Sequence, residues 1–209
     1  MKRILIYIAA LLASAALAAA QTPEEIIARM DEEMNKADKT GLAVTMDIKI
    51  PIIGSTSARM YTLGEKNRTE MSIKDIKSTL WMDNTTMWTY TPSDNELVIE
   101  NRTSTSGSQE DNLGLMKGIT NGYDVSMTKE TADAWYFDCK KSKTNTDKDD
   151  PKKMTLVVDK KTYLPKELTA KAKGVTISMK DAALGVTESE VTYDPSKIPA
   201  GVKVTDKRQ

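Results

Sequence analysis

The side chains that carry most enzyme chemistry are scarce in this chain. It has no histidine and one cysteine, Cys139, in 209 residues. The commonest general base, nucleophile activator and metal ligand is therefore missing. Zinc and other transition-metal sites lack donors for the same reason. Cys139 closes the run Trp135-Tyr136-Phe137-Asp138-Cys139, on the side of Trp135 and Phe137 if the run is a strand. It reads as a small buried hydrophobe. A reactive thiol needs a base or a positive field in a defined geometry, which the adjacent Lys140 and Lys141 do not specify. Asp147-Lys148-Asp149-Asp150 is acidic but lacks the spaced ligands and the glycine of a calcium loop, so it reads as a solvated turn. The chain holds neither a glycine-rich phosphate loop nor a Gly-x-Ser-x-Gly elbow. A carboxylate pair for hydrolysis is assembled in space rather than in sequence. It stays open as a remote alternative with no motif behind it. No metal and no cofactor is expected.

Methionine offers a different chemistry. The chain has twelve methionines and a single phenylalanine, Phe137. Methionine is flexible and polarizable, and suits surfaces that accept varied apolar ligands as well as cores with gaps to fill. Strand alternation places Met46 on the apolar side of Leu42-Val44-Met46-Ile48-Ile50. The hairpin signal Gly64-Glu65 sets Ala58, Met60, Thr69 and Met71 on one face. The segment Thr79–Ile99 reads as strands separated by Asp83-Asn84 and by Pro92-Ser93-Asp94-Asn95. A two-residue turn at Asp83-Asn84 places Met82 opposite Thr85, Trp81 opposite Thr86, Leu80 opposite Met87 and Thr79 opposite Trp88. Leu80, Met82 and Met87 then share one face, and Trp81, Trp88 and Tyr90 the other. The expected ligand-facing surface is Met46, Met60, Met71, Leu80, Met82 and Met87, joined by Met30 and Met34 from a covering helix.

That helix is signalled by Thr22-Pro23-Glu24-Glu25, a capping box with proline in the first turn. Ile26, Ile27, Met30, Met34 and Ala37 follow at helical spacing, and Gly41 ends it after about four turns. Residues 102–122 interrupt the strand pattern. Within them, Leu113–Ile119 reads as a short helix or flap across the sheet, with Leu115, Met116 and Ile119 as the lid's apolar contacts and Gly114 and Gly118 allowing movement. Strands resume at Tyr123–Thr128, Ala134–Lys141, Met154–Asp159, Tyr163–Ala172 and Val175–Lys180, with a short one near Glu190–Tyr193. The reading is a mainly β, α+β chain with about ten or eleven antiparallel strands and neither an internal repeat nor a second-domain linker.

Residues 1–20 read as an export signal. Lys2 and Arg3 precede the apolar run Ile4–Leu17, which is short for a membrane span, and Ala18-Ala19-Ala20 is a cleavage site of small residues. Residues 21–209 are then a single exported domain beginning at Gln21, with no cysteine at its start for a lipid anchor. The chain balances 30 basic against 30 acidic residues, and two of the basic ones fall in the signal. That balance gives no electrostatic footprint for nucleic acid and no polybasic membrane tract.

Several short motifs resemble the LolA family of periplasmic lipoprotein carriers. They are Gly64-Glu65-Lys66-Asn67-Arg68-Thr69-Glu70-Met71, Asp83-Asn84-Thr85-Thr86-Met87-Trp88-Thr89-Tyr90-Thr91-Pro92, Val157-Val158-Asp159-Lys160-Lys161-Thr162-Tyr163-Leu164-Pro165, Tyr193-Asp194-Pro195 and Pro199-Ala200-Gly201-Val202-Lys203-Val204. Asn84 stands where the family has glycine. The resemblance implies a strongly curved, unclosed half-barrel covered by the N-terminal helix and a short helical lid. Its hollow would bind the acyl chains of lipoproteins. The implied partners are acylated lipoproteins, an inner-membrane lipoprotein-releasing transporter and an outer-membrane acceptor, with the carrier a periplasmic monomer. A family arginine contacts the lid, and Lys66 and Arg68 are the candidates for that role. Asn67 and Thr69 stand where well-known members carry cavity aromatics. The alternative within the fold is a lipid- or lipoprotein-sensing module that regulates a partner; in the family such sensors carry a second domain.

Overall fold

The computed structural model describes residues 21–52, 54–103, 121–148 and 150–208. The expected signal segment and the lid residues Leu115, Met116 and Ile119 lie outside the described residues.

Helix α1 spans Pro23–Asn35. The Thr22 hydroxyl accepts from the Glu25 N–H at 3.2 Å, and the Glu25 carboxylate accepts from the Thr22 N–H at 2.9 Å. Two donors that the helix start leaves orphaned are thereby satisfied. Ile26, Ile27, Met30 and Met34 form its buried stripe. A further turn, α2, spans Ala37–Thr40 and stops at Gly41. Gly41 has φ 73° and ψ 162°, a conformation essentially reserved for glycine.

The period of the sequence then changes from helical to alternating, and the chain runs through twelve strands of one sheet. They are β1 Leu42–Ile50, β2 Gly54–Leu63, β3 Lys66–Ile73, β4 Ile76–Met82, β5 Thr86–Thr91 and β6 Glu96–Asn101, followed by β7 Tyr123–Glu130, β8 Ala134–Lys141, β9 Lys153–Asp159, β10 Pro165–Ala172, β11 Val175–Leu184 and β12 Lys203–Asp206. A four-residue helix, α3, spans Glu188–Val191 between the last two strands. The spatial order is β12-β6-β5-β4-β3-β2-β1-β11-β10-β9-β8-β7. The curved sheet does not close, because β12 and β7 remain at its two ends. All neighbours pair antiparallel except β12 with β6.

Both faces are covered, by different parts of the chain. The stripe of α1 packs with Phe137, Cys139, Leu156, Val158, Leu168 and Met179 into the main buried cluster. On the other face, Ala43, Val186 and Val191 form a smaller cluster with Tyr61 and Leu63 against it. There Tyr193 stacks on Trp88, with centroids 4.8 Å apart and planes 6° apart, and meets Trp81 edge-on at 5.7 Å. The C-terminal segment thus seals the tryptophan face.

The structure corrects several expectations. Among the described residues the sheet has twelve strands, against the expected ten or eleven. The region near Glu190–Tyr193 is not a strand. Thr187 and Glu190 make a capping box that starts α3 instead, and the last strand lies further on, at Lys203–Asp206. Strand β10 begins at Pro165, because Tyr163 has φ 58° within the turn whose Asp159 carboxylate accepts from the Lys161 and Thr162 N–H groups. The β4–β5 register also differs. Met82 lies opposite Met87 and Trp81 opposite Trp88, not Thr85 and Thr86. The Asp83 side chain accepts from the Thr85 and Thr86 N–H groups, each at 2.8 Å. The turn therefore takes a wider, side-chain-closed form. Each residue of β4 pairs two positions away from the expected partner. A shift of two preserves side-chain parity, so Leu80, Met82 and Met87 still share a face.

Candidate functional site

The registers trace the methionine face strand by strand. Met46 pairs with Ala58 and Val44 with Met60 across β1 and β2. Ala58 pairs with Met71 and Met60 with Thr69 across β2 and β3. Thr69 pairs with Leu80 and Asn67 with Met82 across β3 and β4, and Met82 pairs with Met87 across β4 and β5. Directly paired residues point to the same side. Met46, Met60, Met71, Leu80, Met82 and Met87 therefore share one face, and it is the face that carries α1, since Met46 and Met60 border the main cluster.

These residues differ in how they are covered. Met30 and Met34 are fully buried, at 0% exposure, inside the cluster beneath α1. Met46 and Met60 are half-buried at its border. Met71, Leu80 and Met87 are half-buried and Met82 is buried. Among the described residues these four join neither buried cluster. The face thus changes character across the sheet, from a packed core over β7–β11 and β1 to a partly open apolar surface over β2–β5. Helix α1 sits on the β7 side, and its stripe is too narrow to cover both halves.

Polar groups are set into this surface. Thr62, Asn67 and Thr69 are all buried. The Thr62 hydroxyl donates to the Leu42 carbonyl at 3.2 Å, and the Thr69 hydroxyl donates to the Asn67 side-chain oxygen at 2.7 Å. Satisfied in this way, they lie between Met60 and Met82 at small energetic cost. They narrow the apolar surface to a strip bounded by Met60, Met71, Leu80 and Met87.

Lys66 and Arg68 lie on the opposite face. Arg68 pairs with Trp81 and Tyr61. Its guanidinium sits 4.2 Å over the Tyr61 ring and bonds Glu70 at 3.1 Å. Lys66 forms an ion pair with Glu188 of α3 and donates to the Thr192 hydroxyl at 3.3 Å. Lys66 thus holds the C-terminal segment to the tryptophan face, while the ion pair and ring contact of Arg68 stay within the sheet. A cation that sequence reasoning passed over, Arg102, bonds the Glu65 carboxylate at 3.2 Å and the Asp83 carbonyl at 3.1 Å. It ties the β2–β3 and β4–β5 turns to the end of β6.

Among the described residues no cluster of carboxylate and cysteine side chains is built to hold a metal ion. Burial, reinforced by the Asp138 carboxylate, pushes the Cys139 thiol up to about 11, so it stays protonated. On α1, burial raises Asp31 above the usual carboxylate range, and one of its oxygens has no hydrogen-bond partner. It borders a cleft of about 370 Å³ with Ile27, Tyr123 and Val125. No described helix is long and apolar enough to cross a membrane.

No family model matches this chain, and neither does any curated protein. Among solved structures, it is similar to an uncharacterized conserved protein from Thermus thermophilus. That likeness has 16% identity and a TM-score of 0.45, and covers 90% of this chain and 100% of that one. It is also similar to lipoprotein LppX of Mycobacterium tuberculosis, at 8% identity and a TM-score of 0.48, over 79% of this chain and 98% of that one. A LolA superfamily protein from Nitrosomonas europaea is similar at 11% identity and a TM-score of 0.37, over 85% of this chain and 100% of that one. The sheet of this chain is itself curved and unclosed, with α1 on one face.

Proposed function

We propose that this chain is a carrier that holds the acyl chains of lipoproteins on its methionine face and ferries them toward an outer membrane. The observation that supports this reading is the half-buried apolar strip that runs from Met60, at the border of the main cluster, to Met71, Leu80 and Met87, which join neither buried cluster. Each buried acyl methylene contributes about 0.8 kcal/mol. A strip of this kind can therefore bind an acyl chain with no charged or catalytic group. Methionines suit the task because they adapt to chains of different length and position. The absence of histidine from the sequence accords with a binding role.

Titration with a fluorescent acyl probe tests this reading. Met71→Glu and Met87→Glu place a charge on the strip and should weaken binding by about tenfold or more. Both sites are half-open to solvent, so the fold should survive. Met30→Glu, within the closed cluster, should instead unfold the protein. Equal probe affinity in the wild type and in both strip variants would leave the methionines as packing alone.

A further inference from the structure

The exposed isoleucines of this protein gather at one rim of the sheet. Ile52 is 107% exposed, Ile73 52% and Ile76 54%. They sit at the tips of the β1–β2 and β3–β4 hairpins, where Ile50 pairs with Gly54 and Ile73 with Ile76 as the terminal pairs. The β10–β11 tip, whose terminal pair is Ala172 and Val175, adjoins them. Lys49 faces Thr176 across β1 and β11, and a Cβ placed on Gly174 would lie 3.9 Å from the Pro51 ring. The tips therefore form one continuous edge.

The charges at these three tips are mostly basic. Lys49, Lys74, Lys77, Lys171 and Lys173 lie there, all exposed, with Asp75 as the acidic residue within the β3–β4 tip. Elsewhere on the sheet several lysines are held by carboxylates, as Lys153 is by Asp138, Lys180 by Asp47, Lys203 by Glu96 and Lys207 by Glu100, whereas Lys140 and Lys141 on β8 stand without one among the described residues. Among the described residues, Lys49, Lys74, Lys77 and Lys171 form no such pair. Ile52 adds a conformational oddity. Its φ is 72°, a left-handed backbone that a β-branched side chain adopts only against steric resistance. Such strain persists where surroundings or function impose it. Here it holds a large apolar side chain wholly in solvent.

We infer that this rim docks onto an anionic phospholipid bilayer. Ile52, Ile73 and Ile76 would enter the acyl boundary while the lysines meet the phosphate headgroups. Apolar side chains ringed by cations are what such a surface selects, since burial and charge attraction act together. An ordinary protein partner would meet a narrow, projecting edge rather than a flat apolar patch. The parity of the strands adds a geometric consequence. Ile50, Ile73 and Ile76 share the methionine face, so the apolar strip runs out to the docked edge.

Co-sedimentation with vesicles tests the docking. Phosphatidylcholine vesicles are compared with the same vesicles containing phosphatidylglycerol. Wild-type protein should bind the anionic vesicles selectively, and salt should weaken the binding. Lys74→Gln and Lys77→Gln should each lower vesicle affinity by about fivefold. Ile52→Gly should lower it too with no fall in melting temperature, because glycine accepts the left-handed backbone. Lys161→Gln, in the β9–β10 turn at the opposite rim, should bind as the wild type does. Absence of wild-type binding, equal binding to both vesicle types, or unchanged binding in the rim variants would overturn the inference. The acyl-probe titration, run without vesicles, reads the carrier function separately. Rim variants that keep probe affinity and lose vesicle binding assign docking to the rim alone, whereas strip variants that lose only probe affinity leave the docking intact.

Discussion

At the residue scale, this protein is governed by what its side chains and backbone positions exclude. Cys139 is held protonated among Phe137, Met154 and Leu156, so it contributes volume rather than reactivity. Gly41 is restricted further. An added Cβ would lie 2.6 Å from the Thr62 carbonyl oxygen and 2.8 Å from the Val186 Cβ, and its φ is 73°. The Thr62 backbone belongs to the sheet and cannot retreat. Gly41→Ala should therefore cost about 3 kcal/mol, from the strained conformation and the added overlap. Urea unfolding measures this, and a loss below about 1 kcal/mol would mean the helix-to-strand turn has room to relax.

At the element scale, two unrelated segments cover the two faces of one sheet. Helix α1 is cut to its task by composition. Its capping box sets the start, and its stripe buries Ile26, Ile27, Met30 and Met34. The C-terminal segment works through aromatic contact, with Tyr193 against both Trp81 and Trp88, and through Lys66 to Glu188. An aromatic side chain so placed contributes area as well as ring geometry. Tyr193→Ala should destabilise by about 2 kcal/mol and should shift the tryptophan emission to the red. A variant with unchanged emission and stability would show that α3 and Val191 hold the segment without the ring.

At the scale of the whole molecule, the unclosed sheet must manage two edges. Strand β12 pairs in parallel with β6 and covers its free N–H and C=O groups, with Lys203 on Glu96 and Lys207 on Glu100. An exposed edge strand templates pairing with other chains. Removing residues 203–208 should leave β6 as the edge and produce larger species in size-exclusion chromatography. An unchanged elution volume for the folded core would show that β6 is protected by other means.

Much of this architecture was legible in the order of residues. The capping box, the helical stripe and the two-residue alternation name their elements directly, because each depends on neighbours a few positions apart. The side of the sheet on which Met71, Leu80 and Met87 fall was legible too, since parity along a strand is local and survives a register shift of two. The β4–β5 register was not, because the Asp83 side chain closes a wider turn in place of a backbone hairpin. Nor was α3, where a capping box in a short polar stretch outweighed strand propensity. Which methionines are core and which lie half-open was beyond the sequence altogether. Met30, Met34, Met71 and Met87 are chemically alike, and only the tertiary placement of α1 on the β7 side of the sheet decides that the first two are sealed. The rim was likewise dispersed. Ile52, Ile73 and Lys171 are far apart in the chain, and they become one surface only because the curved sheet brings its hairpin tips to the same edge.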